Sequence, residues 1–478
     1  MTKLQEVDIG TQPLARFAEF VDPQTLNERI ARAERLRQAF EGRIVWHVNS
    51  TAVGGGVAEM LHVLLPYVRG SGVDTRWLIL NGVDDFFAVT KRLHHALHGS
   101  VGDGSSLGED ARKIYDRVVA ENAEDLVTRV RPGDVVILHD PQTAGLVPYM
   151  ADRGAITFWR CHVGADTRGE QTDLAWNLIG PYLDQAVATI FTRKQYVPDC
   201  CDHGRSVMIP PSIDPFSPKN QHLDQAVVRS ILAATGIIDG PPGDGEPTFR
   251  YEDGSTGRVE RQATIERYGA PPSWDDPLVV QVSRWDPLKD PVGVVAGFVQ
   301  YLKSTPSDVD TQLVLAGPDV KAIPDDIEQG QVYDDTSAAV KALPENVRRR
   351  IHLACLPMDD IQENAAIVNA LQTHARVIVQ KSLREGFGLT VTEAMWKSRP
   401  VLASAVGGIL DQIEDGVHGL LIQDPKNAVE FASLLANLLQ DEEGAERMGA
   451  AARKRVGENY LGIHSLVAYA DLIERFSD

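Results

Sequence analysis

The chain has 478 residues, and 47 Lys and Arg against 67 Asp and Glu give it a formal net charge of −20. This acidic balance argues against nucleic acid or an anionic membrane as the main partner, because both are negatively charged. With 43% hydrophobic and 24% charged residues, the composition is that of a folded globular protein. The length exceeds what one hydrophobic core usually serves, so we expect at least two domains.

The four cysteines and the N-terminal residues bear on the cellular compartment. Cys200 and Cys201 are neighbours, which rarely bridge each other, and no pair has Cys-x-x-Cys spacing. This pattern favours a reducing cytoplasm and argues against a structural zinc site. Glu6 and Asp8 interrupt the N-terminal segment, so we predict no signal peptide. No apolar run reaches the roughly 18 residues that a membrane span needs. We therefore expect a cytoplasmic protein.

In chain order, a helical lead-in comes first, followed by alternating strands and helices. Pro23 stands near a helix start, and apolar residues follow it at helical spacing up to residue 40. Short apolar runs then predict two sets of strands, at 44–48, 77–80, 135–138, 156–159, 187–191 and 207–209, and at 278–282, 313–316, 351–353, 377–379, 401–403 and 420–422. Most of these runs are continuously apolar, as strands covered on both faces must be. We therefore predict two doubly wound α/β domains, each with a parallel sheet.

The domain boundaries follow from composition. The proline-rich segment 209–218 separates the two strand sets and is the predicted linker. We predict an N-terminal domain at 1–216, a C-terminal domain at 217–459, and a final amphipathic helix within 460–478 that packs back on the first domain. Residues 235–262 are rich in Gly, Pro, Asp and Glu, and predict a long exposed loop inserted in the second domain.

Ligands of open α/β sheets bind at the carboxyl ends of the strands, and three such ends in the first half carry candidate residues. Gly54, Gly55 and Gly56 precede a helix, where backbone N–H groups can approach an anion; a plain tight turn is the equally open alternative. Asp140 follows the third strand and suits sugar hydroxyls, unless it only caps the next helix. His162 follows the fourth strand and suits a hydroxyl or proton transfer, against a purely structural role.

In the second half, two cations follow the first strand. Arg284 and Lys289 lie five positions apart around a proline-containing turn. Two cations on one loop of an acidic protein can converge on a diphosphate. The alternative is surface ion pairing with Asp286 and Asp290. The position at the end of a strand favours the ligand.

The strongest local signal is the segment 381–395, which follows the predicted strand at 377–379. Its glycines allow the backbone to approach a ligand closely. A helix is predicted to begin near Leu389, and its first N–H groups are free to bind phosphate oxygens. Two carboxylates flank this turn and suit neutral hydroxyls, one on a hexose and one on a ribose. The alternative is a tight turn followed by a solvated helix face that carries Glu393. The candidate ligand-contacting residues are Glu385, Gly386, Phe387, Gly388, Leu389, Thr390 and Glu393.

Asp308, Val309 and Asp310 form a D-x-D triplet of the kind that some glycosyltransferases use to hold a metal. The triplet precedes the predicted strand at 313–316, which places it at the wrong end of the sheet for a ligand. We interpret it as solvated surface, and we predict no metal site.

At this point the sequence resembles a known family. Glu385 and Glu393, separated by seven residues that include Gly-Phe-Gly-Leu, resemble the donor motif of retaining, two-domain (GT-B) glycosyltransferases of family four. Arg284 with Lys289 matches that family's diphosphate pair, and 210–214 matches its interdomain turn. This similarity covers nearly the whole chain.

The first half is similar to a narrower branch of that family. The segments 45–60, 81–91 and 139–142 resemble the trehalose-forming branch, which contains the trehalose glycosyltransferring synthases and the trehalose phosphorylases. The resemblance implies a GT-B fold, with two Rossmann-like domains facing a central cleft. It implies a retaining hexosyltransferase that moves glucose from ADP- or UDP-glucose to glucose and forms α,α-trehalose. Small-molecule substrates are then the only partners expected, and a homodimer is left open.

The resemblance also implies roles for individual residues. No cofactor is tightly bound, and Mg²⁺ can stimulate the reaction without being held by a D-x-D site. Arg284, Lys289 and the backbone of 386–390 would stabilise the leaving diphosphate. Glu385 would bind the donor hexose and Glu393 the ribose, and His162 would position the donor sugar near its C6 hydroxyl. The acceptor would be oriented by Asp140, Gln142 and the loop of Gly54, Gly55 and Gly56.

Two alternatives stay open. A trehalose phosphorylase would use phosphate in place of the nucleotide and would share the fold and the cation pair. A ribose-binding Glu393 has no role in that enzyme, which favours the synthase. A sugar-nucleotide epimerase of the same architecture needs no second sugar site, so the acceptor-like motifs argue against it.

Overall fold

The computed structural model describes residues 4–52, 56–241, 243–305, 310–320 and 327–476. The chain divides into two compact units: unit 1 consists of Met1–Ser212 with Tyr460–Asp478, and unit 2 consists of Ile213–Asn459. Each unit is built around its own seven-stranded sheet. Within the described ranges, no helix is long and apolar enough to cross a membrane.

The sheet of unit 1 has the strand order β1-β3-β2-β4-β5-β6-β7. Its strands are β1 (Gln5–Val7), β2 (Val45–Asn49), β3 (Thr75–Ile79), β4 (Val135–His139), β5 (Ile156–Cys161), β6 (Ala188–Phe191) and β7 (Ser206–Met208). Only the edge strand β1 is antiparallel to its neighbour. β2 and β4 are buried along their whole length, and β5 in all but its first residue, as the apolar runs predict.

Helices cover both faces of this sheet. They are α1 (Pro23–Ala39), α2 (Gly56–Gly70), α3 (Asp84–Leu97), α4 (Glu109–Arg129), α5 (Val147–Asp152), α6 (Glu170–Ile179) and the C-terminal α16 (Gly462–Phe476), with 3₁₀ helices at Leu14–Glu19, Pro141–Leu146, Gly180–Gln185, Lys194–Tyr196 and His203–Arg205. Asp22 caps α1 by accepting a hydrogen bond from Thr25 N, with Pro23 at the first helical position. The predicted helices at the two ends of the chain are therefore confirmed.

The sheet of unit 2 has the strand order β10-β13-β12-β11-β14-β15-β16. Its strands are β10 (Thr264–Glu266), β11 (Leu278–Val282), β12 (Gln312–Pro318), β13 (Ile351–Leu356), β14 (Val377–Gln380), β15 (Val401–Ser404) and β16 (Leu420–Ile422). The edge strand β10 is antiparallel and the others are parallel. Without β10, the order 3-2-1-4-5-6 is that of a Rossmann sheet.

The helices of unit 2 are α7 (Gln225–Ala234), α8 (Pro291–Ser304), α9 (Ile327–Lys341), α10 (Glu345–Arg348), α11 (Ile361–His374), α12 (Leu389–Trp396), α13 (Ile409–Gln412), α14 (Ala428–Gln440) and α15 (Glu442–Asn459), with a 3₁₀ helix at Pro287–Lys289. One core cluster joins the sheet to α8 and α14, through buried residues such as Phe298 and Phe431. The prediction of two parallel-sheet α/β domains is confirmed.

The prediction of a long exposed loop at 235–262 was wrong. The segment contains an antiparallel hairpin of β8 (Thr248–Arg250) and β9 (Thr256–Arg258), and Phe249 is buried. The strands have only three residues each, too few for a visible alternation of polar and apolar side chains. Contacts with distant residues hold the hairpin, because Gln221 makes two hydrogen bonds with the backbone of Arg250 and Glu363 accepts from the backbone N–H groups of residues 260 and 261.

Candidate active site

The strand order of unit 2 reverses between β11 and β14, which pair in parallel through Val279 with Val377 and Val280 with Ile378. A reversal of this kind opens a crevice at the carboxyl ends of the two strands, where doubly wound sheets bind their ligands. The loop after β11 carries Arg284 and Lys289, and the loop after β14 carries the residues 381–388. The topology therefore brings the two strongest sequence motifs of this half to one place.

Lys289 and Glu385 meet across this crevice. Lys289 Nζ lies 2.5 Å from Glu385 Oε2, and Ser382 Oγ donates to the same carboxylate oxygen at 3.1 Å. The Glu385 side chain is only 10% exposed. By contrast, the Arg284 side chain is 59% exposed, and its Nη2 lies 2.8 Å from Asp286 Oδ2. The exposed guanidinium of Arg284 is thus accessible to an anionic ligand.

Gln281, which the sequence analysis missed, and an ion pair between Lys381 and Asp290 hold the two loops together. Gln281, on β11, donates to the backbone oxygen of Lys289 at 2.9 Å and accepts from the backbone N–H of Lys381 at 3.1 Å. The buried Lys381 ammonium forms an ion pair with Asp290, which has a left-handed backbone (φ 46°) and caps α8. A buried amide that bonds both loops fixes their separation, since each lost bond would leave a polar group unsatisfied.

The glycine-rich turn leads into α12 as predicted, with the helix beginning at Leu389. Gly388 has φ 89°, a conformation that favours glycine. Gly408 packs against the turn so closely that a Cβ there would lie 2.6 Å from Phe387 Cα. Thr390 Oγ1 donates to Gln380 Oε1 at 3.0 Å, which ties the first turn of α12 to β14. The first N–H groups of such a helix have no acceptor within the helix and suit phosphate oxygens.

Glu393 lies inside unit 2. Its side chain is 2% exposed, and its Oε1 lies 3.3 Å from Lys219 Nζ. The alternative of a solvated helix face carrying Glu393 was therefore wrong. Lys397, one turn further along, donates to Asn220 Oδ1 at 3.2 Å, and burial lowers the pKa of its ammonium to about 7. The carboxylate thus also ties α12 to the segment at 219–220, a role that the sequence did not reveal.

In unit 1 the strand order reverses between β2 and β4. Asp140 follows β4 with φ 64° and ψ 175°, a backbone conformation that is strained for any residue other than glycine. Its Oδ1 accepts from the backbone N–H of His162 at 2.8 Å, and its backbone oxygen accepts from Trp159 Nε1 at 3.1 Å. Burial raises the pKa of the Asp140 carboxyl to about 7, against the lowering effect of the His162 N–H. The structure therefore brings the predicted residues Asp140 and His162 into direct contact.

Two further histidines, which the sequence analysis did not single out, form a row of imidazoles with His162. His139 Nδ1 lies 3.2 Å from His162 Nε2, and His139 Nε2 lies 3.1 Å from His47 Nδ1. His47 pairs with Ile137 in the sheet, and His139 pairs with Arg160, so the three histidines lie on one face at successive levels. Burial lowers the pKa of each imidazole, and the Arg160 charge adds to this lowering.

Arg160 is the buried cation beneath this row. It is 1% exposed, and its guanidinium donates to the Ile209 backbone oxygen at 3.1 Å and to the Tyr469 hydroxyl. Burial lowers the pKa of the guanidinium to about 9, although Asp140 raises it. Tyr469 lies on α16, so the C-terminal helix takes part in supporting the interior of unit 1.

Some predicted residues are exposed or lie outside the described part of the chain. Gly54, Gly55, Asp308 and Val309 are not described, whereas Gly56 is exposed at the start of α2. Asp310 Oδ1 lies 3.2 Å from Arg350 Nε, an ion pair at the far end of β12 from its carboxyl end. Within the described ranges, no group of three or more His, Cys, Asp or Glu side chains is arranged to hold a metal ion.

Comparisons with known proteins match both halves of the chain. Residues 47–198 match the family described as "Trehalose synthase, N-terminal domain", and residues 266–455 match "Glycosyl transferases group 1". A trehalose synthase of Rubrobacter xylanophilus is 35% identical over 96% of this chain and 95% of its own. A trehalose synthase of Pyrococcus horikoshii is 32% identical over 99% of each chain.

More distant relatives extend the comparison. A trehalose phosphorylase of Pleurotus pulmonarius is 27% identical over 97% of this chain and 61% of its own. The solved structure of an α,α-trehalose-phosphate synthase (UDP-forming) from Burkholderia xenovorans, in complex with glucose 6-phosphate, covers 91% of this chain and 100% of its own, with a TM-score of 0.66 and 16% identity. This structural likeness supports the GT-B fold. The near full-length relatives at 32–35% identity show that the chain belongs to the trehalose synthase family of glycosyltransferases.

Proposed function

We propose that the chain transfers glucose from a nucleoside diphosphate glucose to glucose, with retention of the anomeric configuration, and forms α,α-trehalose. The observation that carries this proposal is the contact between Lys289 and Glu385 at the strand reversal of unit 2, beside the half-exposed Arg284. A cation and a helix N-terminus at this crevice suit the diphosphate of the donor, and the carboxylate suits its hexose hydroxyls.

In this proposal unit 2 binds the donor. Arg284, Lys289 and the backbone N–H groups of residues 386–390 bind the diphosphate, whose charge increases as it leaves. Glu385 accepts hydrogen bonds from the donor hexose, and its position is fixed by Lys289 and Ser382. The N–H groups of the first turn of α12 act as fixed dipoles, so they need no reorganisation during the reaction.

Unit 1 supplies the acceptor residues in this proposal. Asp140, with Gln142 and the glycine loop ending at Gly56, orients the acceptor glucose. His162 positions the donor sugar near its C6 hydroxyl. The strained backbone of Asp140 supports a functional role, because strain of about 1–3 kcal/mol is concentrated at sites where geometry matters.

Retention follows from attack on the same face from which the diphosphate leaves. The acceptor hydroxyl oxygen forms a bond to the anomeric carbon while the bond from that carbon to the phosphate oxygen breaks. The proton of the acceptor hydroxyl passes to the leaving phosphate. This step needs no carboxylate nucleophile, which agrees with Glu385 being paired to a lysine.

A trehalose phosphorylase is the second candidate, and the similarity to the Pleurotus pulmonarius enzyme favours it. A ribose contact of Glu393 would speak against a phosphorylase. Because Glu393 is buried beside Lys219, it also has a structural role that either enzyme would keep, so its presence does not exclude a phosphorylase.

Proton NMR of the purified protein decides between these functions. Separate tubes contain glucose with ADP-, UDP- or GDP-glucose, and one tube contains glucose with α-glucose 1-phosphate. An α,α-linked disaccharide from a nucleotide tube, with release of the nucleoside diphosphate, supports the synthase and names its base. Product only in the phosphate tube identifies a phosphorylase. Epimerised sugar nucleotide, with no disaccharide in any tube, overturns both.

A further inference from the structure

The histidine row of unit 1, formed by His47, His139 and His162, has a restricted hydrogen-bonding pattern. Both ring nitrogens of His139 are engaged, one with each neighbour. A neutral imidazole has one N–H and one lone pair, so His139 must accept from one neighbour and donate to the other. The imidazoles are neutral near pH 7, because burial lowers the pKa of each. The two hydrogen bonds must therefore run in the same direction along the row.

The groups at the two ends of the row differ and select that direction, although the Arg160 charge acts on all three imidazoles. The Arg160 guanidinium bonds the hydroxyl of Tyr469, whose ring lies edge-on to His47 with 6.4 Å between the ring centroids. A cation near the His47 end favours a lone pair on the outer nitrogen of that imidazole. At the other end, the Asp140 carboxylate accepts from the backbone N–H of His162. A carboxylate at that end favours an N–H on the outer nitrogen.

We propose that His47 donates to His139 and His139 donates to His162, which leaves the Nδ1 of His162 protonated and presented to the substrate. His47 and His139 are then positioning residues, which act through His162 without touching the sugar. A protonated Nδ1 donates a hydrogen bond to a hydroxyl oxygen and cannot accept a proton. This inference rests on the role proposed for His162 and adds that His162 is a hydrogen-bond donor and not a general base.

The first test measures the tautomer of His162 in the full chain without any substrate. Two-bond proton–nitrogen correlation spectra of ¹⁵N-histidine-labelled protein distinguish protonated from unprotonated ring nitrogens, and His162→Asn assigns the signals. We expect a single His162 tautomer with Nδ1 protonated at pH 8, where the Asp140 carboxyl, with its pKa of about 7, is mostly ionised. We expect a mixture of both tautomers in His139→Leu and in His47→Leu, because each variant removes the donor that fixes the direction. His139→Gln retains one donor and one acceptor, and should preserve the wild-type tautomer.

A matched control is His352→Leu, which removes a buried histidine of unit 2 whose Nε2 contacts Gln312 at 3.1 Å. The His162 signals should not change in this variant. An Nε2-protonated His162 in the wild type overturns the proposal, and so does an unchanged tautomer in His47→Leu. If His139→Leu does not fold, His47→Leu and His139→Gln decide the question. Because the spectra contain no sugar, this result is independent of whether the proposed reaction is correct.

The kinetic test separates positioning from simple stabilisation. We expect His47→Leu and His139→Leu to lower kcat about tenfold with little change in the KM for glucose, and His139→Gln to restore most of the rate. Equal losses in His352→Leu, or no recovery in His139→Gln, would contradict a positioning role.

Discussion

Replacement of Arg284 by alanine tests the diphosphate site with little risk to the fold. The side chain is 59% exposed, and its ion pair with Asp286 is a surface contact of little energetic value. A hydrogen bond to a charged group contributes about 1.5–3 kcal/mol, and each 1.36 kcal/mol corresponds to about tenfold in rate. We therefore expect Arg284→Ala to lower kcat/KM for the sugar nucleotide between about tenfold and 150-fold, with the thermal unfolding midpoint unchanged.

The measurement pairs a coupled assay of nucleoside diphosphate release with thermal unfolding. Arg258→Ala is the matched control, because Arg258 is also half-exposed (53%), lies in unit 2 and is paired with a single carboxylate, that of Glu246. The control should retain the kcat/KM of the wild type. If Arg284→Ala also stays within threefold of the wild type, the assignment of Arg284 to the diphosphate is wrong.

Three further predictions concern the two units separately. Lys289→Ala should lower the activity, and it should lower the free energy of unfolding by about 1–3 kcal/mol because the enclosed Glu385 loses its ionic partner. If denaturant titrations give the stability of the wild type, the ion pair does not stabilise the fold. Gly408→Ala should weaken UDP-glucose binding, measured by calorimetry, because the new Cβ would lie 2.6 Å from Phe387 Cα and must displace the donor loop; an unchanged Kd would show that the loop tolerates the displacement. Asp140→Asn should change the pH dependence of stability. The pKa of Asp140 is raised to about 7, so its stabilising contribution is present below pH 3.8 and is lost as the pH rises to about 7; the variant should lack this decline in unfolding experiments between pH 4 and 8, and an identical profile would contradict the raised pKa.

Local sequence patterns predicted the parallel strands and the donor loop. Strands buried on both faces are nearly continuously apolar, so β11, which is apolar except for Gln281, and β16 could be predicted with their observed bounds. The turn at Gly388 could be predicted because a left-handed backbone favours glycine, and the helix that follows begins where the turn ends. Strands and turns of this kind depend on residues that are neighbours in the chain, so the local sequence is enough to predict them.

Features that depend on distant residues could not be predicted. The hairpin of β8 and β9 has three-residue strands and is held by Gln221 and Glu363, so its own sequence resembles a loop. The edge strands β1 and β10 are equally short, and they were missed for the same reason.

The features of the candidate site fall into the same two groups, those predicted from local sequence and those that depend on distant residues. The order of the amino acids shows which residue types follow each strand, namely the cation pair, the glycine turn, Asp140 and His162. The folded chain was needed to show that Gln281 bonds both donor loops and that Glu393 is enclosed. The same holds for His47 and His139, which extend the row from His162. These contacts join segments that are distant in the chain, and no local pattern records them. The register between adjacent strands brings the histidines together and places Gln281 beside both loops, whereas the packing of α12 encloses Glu393.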